Sequence, residues 1–139
     1  MLILLAIHAL LSSDILPNTT VNQELTIEIL GLSSYEGQVQ IAVFTVDDDF
    51  PDKGTYQKSV PLDPANKVQA SFTLPEGDYA VAAYHDKNEN GKLDTNMVGI
   101  PKEDYGFSND ARGKMSAPPF DKAKVTVQQA AQTIQINLR

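Results

Sequence analysis

The run Lys67-Val68-Gln69-Ala70-Ser71-Phe72-Thr73-Leu74, then Pro75-Glu76-Gly77-Asp78, then Tyr79-Ala80-Val81-Ala82-Ala83-Tyr84-His85, decides the fold class. In the first piece polar and apolar residues alternate with period two, as a strand with one buried face requires. Proline and glycine interrupt it with turn chemistry, and a second strand-forming run resumes at once. Read locally, the three pieces form a β-hairpin.

Working outward, the same alternation recurs on both sides. Glu24-Leu25-Thr26-Ile27-Glu28-Ile29 places Leu25, Ile27 and Ile29 on one face, and Gln38 to Val46 places Val39, Ile41 and Val43 on one face. A weaker strand spans Tyr56 to Leu62, where Pro61 confines it to a sheet edge. Ala123 to Val127 and Thr133 to Leu138 alternate again. No long segment carries a helical spacing of apolar positions. The sequence predicts an all-β, antiparallel Greek-key sandwich of about seven strands, immunoglobulin-like or prealbumin-like, with one long ordered loop.

Composition sets bounds on function. The 139 residues, 42% of them hydrophobic and 21% charged, suffice for one ordinary core. A net charge of -7 repels phosphate backbones and favours cations, so nucleic acid is not an expected partner. Zero cysteines exclude thiol catalysis and thiolate metal sites. Met1 to Leu11 is an apolar run ending at Ser12-Ser13-Asp14, too short to span a bilayer and suited to the core of a signal peptide. The expected organisation is a signal peptide over 1–13, lacking the basic residues that usually open one, a linker over 14–22, and a single sandwich domain over 23–139. The corresponding location is outside the cytoplasm, in the periplasm, on the outer surface or in the medium, with no membrane span in the mature chain.

The 36 residues from Asp86 to Asp121 lack a strand pattern, and loops of that length usually carry function. Within them, Asp86-Lys87-Asn88-Glu89-Asn90-Gly91-Lys92-Leu93-Asp94-Thr95-Asn96 sets oxygen-bearing side chains at relative positions one, three, five, nine and eleven, with glycine at six. Calcium takes six to eight oxygens, and an odd-numbered series on a tightly turning backbone gathers them. The expected ligands are Asp86, Asn88, Asn90, Asp94 and Asn96, the backbone carbonyl of Lys92, and a closing carboxylate from Glu103, with Asp104 as the other candidate. Position twelve is Met97, which cannot ligate a hard ion, so the expected dissociation constant is roughly 10⁻⁴ to 10⁻³ M. The same residues also build metal-free turns through their own side-chain hydrogen bonds, and that reading stays open.

The stretch Leu74 to Asp94, followed by Gly99-Ile100-Pro101-Lys102-Glu103-Asp104-Tyr105-Gly106-Phe107-Ser108-Asn109 and by Pro118-Pro119-Phe120-Asp121-Lys122-Ala123, resembles domain-of-unknown-function family 2141, over roughly Leu25 to Leu138. The resemblance implies an exported bacterial envelope protein with a sandwich similar to prealbumin-like or collagen-adhesin accessory modules. It implies no activity.

His85 is the only histidine outside the N-terminal run, so a multi-histidine zinc site is excluded; at a strand end it is expected to bond a neighbouring carbonyl or carboxylate. Ser108, in Gly-Phe-Ser-Asn, lacks the nucleophile-elbow context. Tyr105, Phe107 and Phe120 are expected to pin the long loop to the sandwich. The leading functional reading is a non-enzymatic secreted or periplasmic binding or accessory module with a calcium loop and a protein or carbohydrate partner. The alternatives are an envelope hydrolase using His85 with Asp86, Asp94 or Glu103, and a purely structural envelope domain.

Overall fold

The alternating runs do become strands with one buried face. In the computed structural model, which describes residues 19–139, the elements are β1 (Asn22–Leu30), β2 (Gln38–Thr45), β3 (Tyr56–Pro61), β4 (Gln69–Pro75), β5 (Gly77–Asp86), β6 (Tyr105–Phe107), β7 (Val125–Val127) and β8 (Gln132–Asn137). A 3-10 turn at Ser108–Asp110 and a one-turn helix at Phe120–Ala123 complete them. The expected signal peptide lies outside the described residues.

One sheet has the order β4-β1-β8; the other runs β3-β2-β5-β6, with β7 also paired to β5. Leu25, Ile27 and Ile29 of β1, Val39, Ile41 and Val43 of β2, Phe72 and Leu74 of β4, and Val81 of β5 fill the space between them. The all-β sandwich is therefore as the alternation required.

Three local expectations are corrected. Leu74 and Tyr79 do not belong to one hairpin, because β4 pairs with β1 in the first sheet and β5 with β2 in the second. Glu76 alone connects them, and the chain turns a corner between sheets that the Tyr79 hydroxyl clamps by donating to the Pro75 carbonyl at 2.7 Å. Nor is the sandwich wholly antiparallel, since β1 and β8 pair in parallel from Leu25↔Gln132 to Leu30↔Asn137. The long segment also contains a strand: β6 pairs Tyr84↔Tyr105 and Ala82↔Phe107, which raises the strand number among the described residues to eight. Three residues are too few for a period-two signal to register.

That segment is held down by aromatic packing. Phe107, Ala111 and Ala123 form a second apolar cluster with Phe44 and Ala80 on the outer face of the β5 sheet, and Phe50 and Phe120 pack against it. The Phe50 ring stands edge-on to Phe44, Phe107 and Phe120, with centroids 5.0, 5.7 and 6.0 Å away. Phe107 and Phe120 thus act as the pins expected of them.

Candidate functional site in the loop after β5

β5 ends at Asp86, and alternation sends its carboxylate to the outer face together with Ala82 and Tyr84. Asp86 is fully buried, and four donors converge on it. Its Oδ2 accepts the side-chain amides of Gln38 (3.0 Å) and Gln40 (3.2 Å) from β2 and the backbone N–H of Gly91 (2.9 Å); Oδ1 accepts the N–H of Asn90 (3.1 Å). Burial alone would push this carboxyl up, but the hydrogen bonds outweigh it and hold Asp86 below the usual carboxylate range. The chain beyond Asp86 is wrapped around its carboxylate, with Gly91 at φ 73° making the return.

The next three expected ligands also meet. Asn88 and Asn90 each place the amide end of the side chain 2.7 Å from Asp94, Asn88 on Oδ2 and Asn90 on Oδ1. The Asn90 Oδ1 accepts the Lys92 backbone N–H at 2.9 Å. Glu103, almost wholly buried, closes the loop from outside it: Oε1 accepts the N–H of Lys87 and Oε2 that of Asp94, both at 3.2 Å. Sequence reasoning chose Glu103 as a closing carboxylate, and it does bridge the two arms of the loop.

Asn96 stands apart. Its Oδ1 accepts the N–H groups of Val98 and Ile100, both at 3.0 Å, and its backbone N–H donates to the Ile100 carbonyl, which shapes a separate tip. Asp104 also turns away, accepting the Ser33 hydroxyl at 3.0 Å. Five of the predicted residues, Asp86, Asn88, Asn90, Asp94 and Glu103, therefore share one neighbourhood, with Lys92 beside them.

A cation has a donor set to meet here, though a mixed one. Among the described residues no three Asp, Glu or His side chains cluster closely enough to hold a metal by themselves. Amide oxygens would have to join the carboxylates. Asn88 can supply one by a half-turn of its amide, which exchanges the NH2 for the carbonyl oxygen at nearly the same point, whereas Asn90 does so only by giving up the Lys92 N–H that its Oδ1 accepts. The charge is also uncompensated: among the described residues no lysine or arginine forms an ion pair with Asp86, Asp94 or Glu103. These carboxylates reach Tyr84 as well. Desolvation first, and then Asp86, Glu103 and Asp94, push its phenol up to about 12. An ion here would be a hard one and would have to draw on amide as well as carboxylate oxygens.

His85 and Ser108 are fully buried in structural roles. The His85 Nε2 lies 2.7 Å from the Glu36 carbonyl and so carries the proton that bonds it, while Nδ1 is buried without a partner. The Ser108 hydroxyl accepts the Val81 N–H at 2.9 Å and donates to the Ala123 carbonyl, stitching the long segment to β5.

Sequence reasoning missed Gln38 and Gln40, which hold Asp86. Their alternation shows that they face outward, but nothing local reveals a partner some 45 residues away.

A family model described as "Uncharacterized protein conserved in bacteria (DUF2141)" matches residues 27–135. No curated protein and no solved structure matches.

Proposed function

This chain belongs to the family of uncharacterized proteins conserved in bacteria, DUF2141, and from that premise we propose a non-enzymatic, exported binding module whose loop between β5 and β6 takes up calcium weakly. One observation carries the reading: the side-chain NH2 groups of Asn88 and Asn90 donate, at 2.7 Å, to the two oxygens of Asp94, which brings three of the expected ligands together at one point. With those amides turned oxygen-inward, Asn88, Asn90, Asp94 and Glu103 would hold the ion, with Asp86 anchoring the loop from beneath.

The loop is already closed by its own hydrogen bonds, so calcium competes with existing contacts and adds little. A dissociation constant of about 10⁻³ M raises stability at about 10 mM calcium by only about 1.4 kcal/mol, a melting shift of about 5 °C. Calorimetric and thermal titration with calcium chloride tests this. Heat and a shift that vanish in Asp94→Asn but survive in Asn96→Ala support the loop. An unchanged melting curve and no heat at about 10 mM calcium sink it.

The non-enzymatic half rests on the burial of His85 and Ser108, which leaves neither available to a substrate. Export rests on the apolar run Met1 to Leu11. Cell fractionation and N-terminal sequencing of the mature protein test it, and intact Met1 on a cytoplasmic product would refute it.

A further inference from the structure

A groove crosses the outer face of the β3-β2-β5-β6 sheet, bounded by the Asp86–Asp94 loop on one side and the Pro51-Asp52 turn on the other. Its two lobes, of about 370 and 180 Å³, share Pro51, Asp52, Ala82, Tyr84 and Gly91. The larger lies within the range of ligand sites, roughly 300–1,000 Å³. Ala42 and Ala82 are short enough to leave the floor open between taller neighbours.

The lining alternates two chemistries. Tyr84, Tyr105 and Phe107 share one face of paired strands β5 and β6, so their rings stand together on the larger lobe, with Leu93 beside them. Hydrogen-bonding groups surround these rings: Asp52 and Lys92 on the larger lobe, Gln40 and Gln57 on the smaller. Asp52 and Lys92 offset each other on the walls, while the carboxylates of Asp86, Asp94 and Glu103 act on Tyr84 from the loop and add to the protein's overall -7, so an anion is disfavoured. The Tyr84 hydroxyl, on both lobes, can donate or accept a hydrogen bond. Apolar faces with a rim of neutral and paired polar groups match a pyranose ring, which has C–H faces and an equatorial belt of hydroxyls.

We propose that this groove binds a short neutral oligosaccharide, one ring stacked on Tyr84 beside Tyr105, whose own ring carries the Arg112 guanidinium at 5.6 Å, and the chain crossing the strands toward Gln57. The proposal rests on the binding-module reading given above but not on calcium, since every lining group is in place in the metal-free loop.

The test uses the full domain titrated with cellotetraose, maltotetraose and tetra-N-acetylchitotetraose, followed by amide NMR, in calcium and again in EDTA. Millimolar binding of one of them is expected, with shifts centred on Ala82, Gly91 and Gly106. Tyr84→Phe and Tyr105→Phe, which keep the packed rings and remove only the hydroxyls, should each weaken it about tenfold at an unchanged melting temperature. Ala82→Leu, which fills the floor, should abolish it. No binding of any of the three at about 10 mM overturns the proposal, as do shifts centred elsewhere or a groove that takes only an anionic sugar or a peptide. Sugar binding that persists in EDTA, in a protein that gives no heat with calcium, would sink the calcium loop and leave the groove standing; the reverse pattern would sink the groove alone.

Discussion

Gly91 donates its backbone N–H to Asp86 Oδ2 at 2.9 Å, closing a ring of chain on the last residue of β5. Asp86 is thus the anchor of the loop, whereas Asp94 is the residue at which the asparagine amides meet. The two aspartates differ in burial and should differ in what their loss does.

Asp86→Ala leaves four donors, two of them side chains of β2, without their acceptor. It should cost about 3 kcal/mol in urea unfolding. Asp94→Asn, in a less buried position, should stay within about 1 kcal/mol of the parent while removing the calcium response. Equal destabilisation by both would mean that the anchor has been misassigned.

Two glycines with similar backbone angles should respond differently to alanine. Gly37 has φ 75°, and a Cβ there would stand 2.3 Å from the Asp86 carbonyl oxygen and 2.6 Å from that of Lys87. Gly91 has φ 73° but open space around it. Gly91→Ala should cost about 1 kcal/mol from backbone strain alone, and Gly37→Ala at least about 3 kcal/mol because two backbones must part. Melting temperatures of the two variants decide the point.

Stability should fall in acid from a short set of carboxylates. Backbone N–H donation by Thr45, aided by Thr55, holds Asp48 below its ordinary 3.8. The Asn137 backbone does the same for Asp110, and the four-donor cage for Asp86. A carboxyl lowered in the folded state contributes stability that is complete above its unfolded value and is lost as pH drops through the folded one. Urea midpoints should therefore stay level from about pH 7 to about pH 5 and decline below about pH 4. Asp48→Asn and Asp110→Asn should each flatten the decline. A curve that instead falls above pH 5 would implicate other groups.

Ser108→Ala deprives the buried Val81 N–H and Ala123 carbonyl of their partner and should cost about 2 kcal/mol. The parent protein should resist a serine-directed fluorophosphonate in its native state. Labelling at Ser108 without unfolding would revive the hydrolase reading.

The strands were legible in the sequence because each buries one face, so Leu25-Ile27-Ile29 and Val39-Ile41-Val43 declare themselves at period two. Their partners were not. Pro75 and Gly77 signal a turn equally well whether the next strand folds back beside β4 or crosses to the opposite sheet, and that choice is made by β1 and β2, far away in sequence. The candidate loop was legible for a related reason. Asp86, Asn88, Asn90 and Asp94 act on each other within nine residues, so spacing reports their meeting, and Glu103 is close enough to be guessed. Asn96 shows the limit, since an Asx residue one turn further on serves its own tip. The groove draws lining from β2, β3, β5 and β6 and from two loops, and no local pattern could announce it.

The parallel pairing of β1 with β8 has a mechanical consequence. Six residue pairs join these strands, from Leu25↔Gln132 to Leu30↔Asn137, so the entry to β1 and the exit from β8 lie at opposite ends of the ladder. A pull applied between those ends loads all the rungs together in shear instead of peeling them one by one. A domain held at both ends and stretched would hold until the whole ladder yields at once.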